Sequence, residues 1–136
     1  MELKKCTFED IKQLAALNKQ LIDDEKSDNT MGLEELEHRM YDFLNSEYNA
    51  YFFVENDNIL GYALVKLTSH PFYLRHFLID RAYRKQHIGT LAFEMLLKEL
   101  NVESIDIEVL SWNIAGNKFW EKCGFLERSR YMRFEK

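Results

Sequence analysis

Phe72-Tyr73-Leu74-Arg75-His76-Phe77-Leu78-Ile79, followed shortly by Arg84-Lys85-Gln86-His87-Ile88-Gly89-Thr90, is the passage whose reading decides the fold. The first eight residues are rich in aromatic and aliphatic side chains and read as a strand. From Ile88 the apolar residues Ile88, Leu91, Ala92, Met95, Leu96 and Leu100 recur at helical spacing. A strand that delivers the chain straight into a helix leaves the first helical N–H groups unpaired. Together with the helix dipole they form an anion site. Arg84, Lys85 and Gln86 add side-chain donors, and Gly89 lets a ligand approach without a Cβ in the way. On local physics alone the same residues read equally well as an ordinary strand-to-helix turn with solvated cations.

Working upstream, Tyr51-Phe52-Phe53-Val54 and Ile59-Leu60-Gly61-Tyr62-Ala63-Leu64-Val65 are β-rich runs separated by Glu55-Asn56-Asp57-Asn58, a hairpin pattern. Before them, Leu33, Leu36, Met40, Phe43 and Leu44 form one helical stripe, and Ile11, Leu14, Ala15, Leu21 and Ile22 form another. Thr7 is placed to cap the first helix, with Asp10 in its first turn. Glu2 to Cys6 reads as a strand, and Asp23 to Asn29 reads as an acidic loop. Downstream, Ser104 to Leu110 alternates Ile105, Ile107 and Val109 inward. A short helix from about Ile114 to Cys123 and a last strand from about Phe125 to Phe134 follow. The expected order is β-α-α-β-β-β-α-β-α-β, an α/β (α+β) fold with a mixed, mostly antiparallel sheet flanked by helices.

At 136 residues, 46% hydrophobic and 14% aromatic, the chain can bury one core, and residues 1–136 are expected to form one domain. Eighteen Lys and Arg against 23 Asp and Glu give a net charge of −5, which disfavours nucleic acid as a partner. Cys6 and Cys123 are far apart and lack the clustered spacing that a metal needs, so no metal is expected and a reducing cytoplasm is the simplest setting. No apolar run approaches the ~18 residues of a membrane span, and no apolar leader opens the chain.

Tyr83-Arg84-Lys85-Gln86-His87-Ile88-Gly89 resembles the acetyl-CoA loop of the GNAT N-acetyltransferase superfamily, commonly R/Q-x-x-G-x-G/A. Arg84 and Gly89 match its first and last positions. His87 stands where the first glycine usually sits, a departure compatible with function if this residue need not have φ > 0. A second block, Asn113-Ile114-Ala115-Gly116-Asn117-Lys118-Phe119-Trp120-Glu121-Lys122-Cys123-Gly124-Phe125, is similar to the superfamily's N-x-x-A-x-x-F-Y-x-x-x-G-F segment. The expected element order matches over nearly the whole chain.

The resemblance implies an enzyme that transfers an acetyl group from acetyl-CoA to an amine, a small primary amine or a protein amino group, by direct attack in a ternary complex. It implies that the backbone of Phe77, Leu78 and Ile79 pairs with the pantetheine arm, with a β-bulge nearby aiming an amide at the thioester oxygen. Phosphates would lie on the amides of Lys85, Gln86, His87, Ile88, Gly89 and Thr90, with charge from Arg84 and Lys85, and Asn113 beside the cofactor. Trp120 occupies the position of a tyrosine that protonates the thiolate in many members. An indole is no useful acid, so Trp120 is expected as an aromatic anchor.

Candidates for proton transfer are Tyr73, His76, Glu108 and Tyr131. A lone strand histidine is more often structural, and Glu108 is equally readable as a solvated edge charge. Period 2 puts Tyr73, Arg75 and Phe77 on one strand face and Leu74, His76 and Leu78 on the other. Where related polyamine acetyltransferases carry a carboxylate this chain has Arg75, which suggests a substrate bearing a carboxylate or phosphate. The alternatives are a CoA-binding module with impaired catalysis and a structural domain with no cofactor. The exposed strands of such a fold leave room for a homodimer.

Overall fold

The structure is a computed structural model and describes every residue except Lys85 and Gln86. Its elements run β1 (Glu2–Lys5), α1 (Ile11–Glu25), α2 (Leu33–Leu44), β2 (Tyr48–Glu55), β3 (Asn58–Lys66), β4 (Phe72–Ile79), α3 (Ile88–Leu100), β5 (Ile105–Asp106) and α4 (Ile114–Lys122), with 3₁₀ turns at Phe8–Asp10 and Arg81–Tyr83. The five strands form one sheet in the order β1-β2-β3-β4-β5. All neighbours are antiparallel except β4 and β5, which run parallel.

Alternation along the strands sends their side chains to two cores. On one face Phe52, Tyr62, Leu64 and Leu78 pack against Leu14, Leu17 and Leu21 of α1 and Met40 of α2. On the other, Phe53, Ala63, Val65 and Leu74 pack against Ile88, Ala92, Phe93 and Leu96 of α3. The β2–β3 hairpin closes with Asn56 and Asp57 at φ 50° and 65°. Left-handed conformation at both central residues matches the twist of the strands, and Asn and Asp tolerate it. Gly61 is needed where β3 meets β4, because a Cβ there would come within 2.0 Å of the carbonyl oxygen of Leu78.

Three expectations are corrected. Asp23 to Asn29 is not wholly a loop, since α1 continues to Glu25 before Lys26 turns left-handed at φ 52°. Glu25 lies four residues after buried Leu21, so it prolongs the apolar stripe with its stem although it breaks the hydropathy pattern. The strand expected over Ser104 to Leu110 pairs only at Ile105–Asp106. Phe125 to Phe134 forms no strand, and Leu126, Tyr131, Met132 and Phe134 are more than four-fifths exposed. Its charges fall on both period-2 faces, at Arg128 and Arg130 on one and Glu127 and Arg133 on the other, so neither face gains by burial.

Candidate functional site

Pairing between β4 and β5 covers Phe72↔Ile105 and Tyr73↔Asp106 and then stops. The opening beyond it is lined by Glu25 from the end of α1, Arg75 and Phe77 of β4, Ile107 and Glu108 after β5, and Trp120 of α4. A larger cavity of ≈ 420 Å³ lies at the far edge of the sheet, between Cys6, Phe8, Leu44 and Tyr48. The Cys6 thiol in its lining is pushed up to about 12 by burial and then by Asp10. The chemistry-bearing side chains gather at the β4–β5 opening instead.

Arg75 is the unmatched residue of a bulge, for Leu64 pairs with His76 and Val65 with Leu74. The extra residue reverses the alternation. Leu74 and Phe77 therefore both belong to the α3-side core, while Leu78 joins the α1–α2 side. The expected period-2 sharing of one face by Tyr73, Arg75 and Phe77 is broken at the bulge. Burial pushes the Tyr73 hydroxyl up, and Glu108 pushes it further. Burial likewise raises the Glu25 carboxyl, reinforced by Asp24. The main chain of Glu25 is fixed by Trp112, whose indole Nε1 donates to its carbonyl oxygen at 3.0 Å.

His76 lies elsewhere. It is buried on the α1–α2 side, with Nδ1 3.0 Å from the Tyr62 hydroxyl and Phe43 edge-on to its ring at 5.9 Å. Burial first, then Arg39 and Arg75, lower its pKa to about 3, so at neutral pH it is an uncharged core side chain. Tyr131 is 85% exposed on the C-terminal segment, where the Arg133 guanidinium lies over its ring. Of the four candidates for proton transfer, Glu108 is the one that lines the opening.

The backbone of β4 beyond the bulge is partly free. The Asp80 amide donates to the Leu60 carbonyl on β3 at 2.8 Å, so ladder parity turns Leu78 toward β3 and turns Phe77 and Ile79 toward the opening. Of the outward groups, the Ile79 carbonyl accepts from Arg84 Nε at 2.8 Å. Among the described residues the Phe77 N–H and C=O and the Ile79 N–H have no partner and remain for a strand-like ligand. Leu78, expected to pair through its backbone, does not face the opening.

Arg84 spends its guanidinium locally. Beside the Ile79 bond it donates from Nη2 to Gln20 Oε1 at 3.2 Å and pairs with the Asp24 carboxylate. Arg81 pairs with the same carboxylate at 3.0 Å. The turn is thereby stapled to α1. Lys85 and Gln86, the other proposed side-chain donors, lie outside the described residues. His87 takes φ 57° at the start of α3 and supplies no side-chain cap. The expectation that this position need not have φ > 0 is overturned, since His87 adopts the left-handed conformation that a glycine would hold without strain. The N–H groups of Ile88 and of the residues Gly89 and Thr90 behind it open the uncapped end of this 13-residue helix. A Cβ on Gly89 would meet the Phe119 ring at 3.0 Å, so this glycine also serves helix packing.

Asn113 caps α4: its Oδ1 accepts from the Gly116 amide at 3.0 Å. A Cβ on Gly116 would strike the Asn113 amide group at 2.4 Å, which explains the glycine between them. Trp120 stands edge-on to Phe77, Phe93, Phe119 and Phe125 at centroid distances of 4.7–5.3 Å. It anchors α4 against β4 and α3 while its ring borders the opening. Glu25, Trp112, Asn18 and Arg39 were missed by sequence reasoning. The one available signal was a polar residue inside an apolar helical stripe, at Asn18 between Leu14 and Leu21 and at Arg39 between Leu36 and Phe43.

Residues 15–125 match the model of a family described as the acetyltransferase (GNAT) family. Among solved structures, one described as a possible acetyltransferase from Clostridium difficile 630 superposes with a TM-score of 0.78 at 16% identity, covering 99% of this chain and 96% of that one. A predicted acetyltransferase with acetyl-CoA from Clostridium acetobutylicum gives 0.74 at 19% identity, with 98% and 95% covered. An aminoglycoside N-acetyltransferase in complex with CoA gives 0.75 at 13% identity, with 99% and 93% covered. At these identities the likeness is one of fold. No curated protein sequence matches the chain.

Proposed function

Because this chain belongs to the GNAT acetyltransferase family, we propose that it transfers the acetyl group of acetyl-CoA to an amine, with both substrates bound together at the β4–β5 opening. The observation that carries this reading is the juxtaposition of free β4 backbone with the uncapped start of α3. The strand supplies donors and an acceptor for an amide-bearing arm, and the helix end supplies N–H groups and positive potential for a diphosphate. Pantetheine and pyrophosphate are an amide-bearing arm and a diphosphate in that order. The CoA-bound aminoglycoside N-acetyltransferase of the same fold supports the choice of ligand.

Acetyl-CoA supplies an activated acyl carbon. The residues at the opening then have definable tasks. The Phe77 and Ile79 amides hold the arm, and the aromatic wall of Trp120 and Phe77 excludes water beside it. An aliphatic amine with a pKa of about 10.4 must lose a proton to attack. Glu25 and Glu108 are the carboxylates at the opening, and Glu25, raised by burial, is the better matched acceptor. That proton passes from the ammonium to the carboxylate before attack; as the new C–N bond forms and the C–S bond breaks, the second proton of the nitrogen goes to solvent and the sulfur departs as thiolate. Tyr73, kept protonated by its surroundings, can donate a hydrogen bond to it. His76 and Tyr131 have no part in this scheme.

The test is to incubate the protein with acetyl-CoA and a broad amine panel and follow free CoA thiol. Amine-dependent thiol release supports the reading. Stabilisation by acetyl-CoA without release for any amine would favour a CoA-binding module.

A further inference from the structure

Two guanidiniums stand over one aromatic ring beside the opening. The central carbon of Arg39 lies 5.4 Å from the Phe43 ring centroid, and that of Arg75 lies 5.0 Å from the same centroid. Arg81, Arg84, Arg130 and Arg133 each have a carboxylate partner. Among the described residues Arg39, Arg75 and Arg128 have none, and Arg128 lies exposed on the C-terminal segment. Arg75 Nη1 reaches only the Tyr48 hydroxyl, at 3.4 Å, and Arg39 Nη2 donates to Asn18 Oδ1 at 2.9 Å. Two cations in mutual repulsion, Arg39 half-buried and Arg75 exposed at the mouth, neither with an anion, form an arrangement that folding alone does not favour. Burial first, and then Arg75, lowers the pKa of Arg39, and the second cause records that repulsion. Buried donors are unsatisfied at the same place: Asn18 is 1% exposed, and among the described residues neither its Nδ2 nor Arg39 Nε has a partner. Such groups normally find one.

Across the opening stand the opposite charges, Glu25 and Glu108. Neither carboxylate lies within ion-pair distance of Arg75, so the opening holds separated positive and negative walls.

We infer that the acceptor is a small amine that also bears a carboxylate, with the carboxylate held by Arg75 at the mouth and Arg39 behind it and the amine directed to Glu25 and Glu108. This rests on the acetyl-transfer reading and specifies its acceptor. A singly charged carboxylate suits the site better than a phosphate, because the two glutamates oppose a second negative charge while two guanidiniums can share a planar anion. The amine end then lies beside the groups that take its proton.

The experiment titrates the CoA-saturated protein with the standard α-amino acids, each against its own carboxamide, by calorimetry, and repeats the pairs as acceptors in turnover with acetyl-CoA. At least one acid is expected to bind about 10- to 100-fold more tightly than its amide, the range set by charge-assisted hydrogen bonds. Arg75→Gln and Arg39→Gln should each erase the preference while the Kd for acetyl-CoA stays as in the wild type. Arg75 is exposed, so Arg75→Gln keeps the test sound if Arg39→Gln fails to fold. Equal binding of acid and amide, preference for the amide, no binding of any amino acid, or a preference retained in Arg75→Gln overturns the inference. Absence of thiol release with every amine would count against acetyl transfer, and the calorimetric preference is read independently of it.

Discussion

The Tyr62 hydroxyl lies 3.0 Å from Nδ1 of His76, and both side chains are buried between the sheet and the α1–α2 pair. The imidazole is therefore part of the core, held neutral by burial with Arg39 and Arg75 nearby. An unfolded histidine titrates near 6.5 and this one near about 3. Between those values the unfolded chain binds a proton that the folded chain refuses. Stability present above pH 6.5 is accordingly lost as pH falls, at roughly 1.4 kcal/mol per pH unit. Thermal melts of wild type and His76→Asn between pH 7 and 5 should show the steeper fall in the wild type, and parallel slopes would contradict the assignment.

At the start of α3 a histidine occupies a left-handed position. His87 at φ 57° carries a strain that glycine lacks. His87→Gly should raise the unfolding free energy by about 0.5–1 kcal/mol and leave acetyl-CoA affinity equal or better. Denaturant titration and calorimetry measure the two. A loss of stability would mean that the imidazole makes a contact worth more than the backbone strain.

Gly61→Ala places a methyl carbon 2.0 Å from the Leu78 carbonyl oxygen, a contact with backbone that no rotamer relieves. The β3–β4 pairing has to spread just where Phe77 and Ile79 face the opening. A loss of about 2–4 kcal/mol is expected, together with weaker acetyl-CoA binding. Unchanged denaturation and an unchanged Kd would show that β4 can slide without cost.

Glu25→Gln removes the carboxylate assigned to proton acceptance while conserving shape. Its kcat should fall about 10²-fold or more, the usual worth of a positioned base. Because the Glu25 pKa is raised, the wild-type kcat/KM should decline on the acid side at a pH above the ordinary glutamate range. That limb should vanish in Glu25→Gln and persist in Glu108→Gln. The reverse pattern would move the role to Glu108.

Much of the fold could be read from periodicity. The β2–β3 hairpin, the α3 stripe from Ile88 to Leu100 and the strand feeding that helix all stand where alternation and helical spacing put them. Family membership was legible from the turn at Arg84–Gly89 and the block Asn113–Phe125, and the family match over 15–125 bears it out. Side-chain roles were harder to read. Period 2 could not reveal that Arg75 is an inserted residue, because a bulge is a property of two paired strands. Spacing presented Arg84 as a cation for phosphate, yet its partners Gln20 and Asp24 are more than fifty residues away in sequence. Glu25 was hidden within a run of acidic residues, and only the packing of α1 separates it from Asp23 and Asp24. The C-terminal segment carried strand-forming residues without a consistent apolar face.

The central claim is acetyl transfer to an amine at the β4–β5 opening, and single-turnover quenching tests it most directly. Protein loaded with one equivalent of acetyl-CoA is mixed with an accepted amine, and free CoA thiol and acetylated amine are measured in the same samples. The account predicts that both rise together in equal amounts, only when amine is present, and at least about 10²-fold more slowly in Glu25→Gln. Thiol released without amine, or bound acetyl-CoA that yields neither product with any amine, would contradict it.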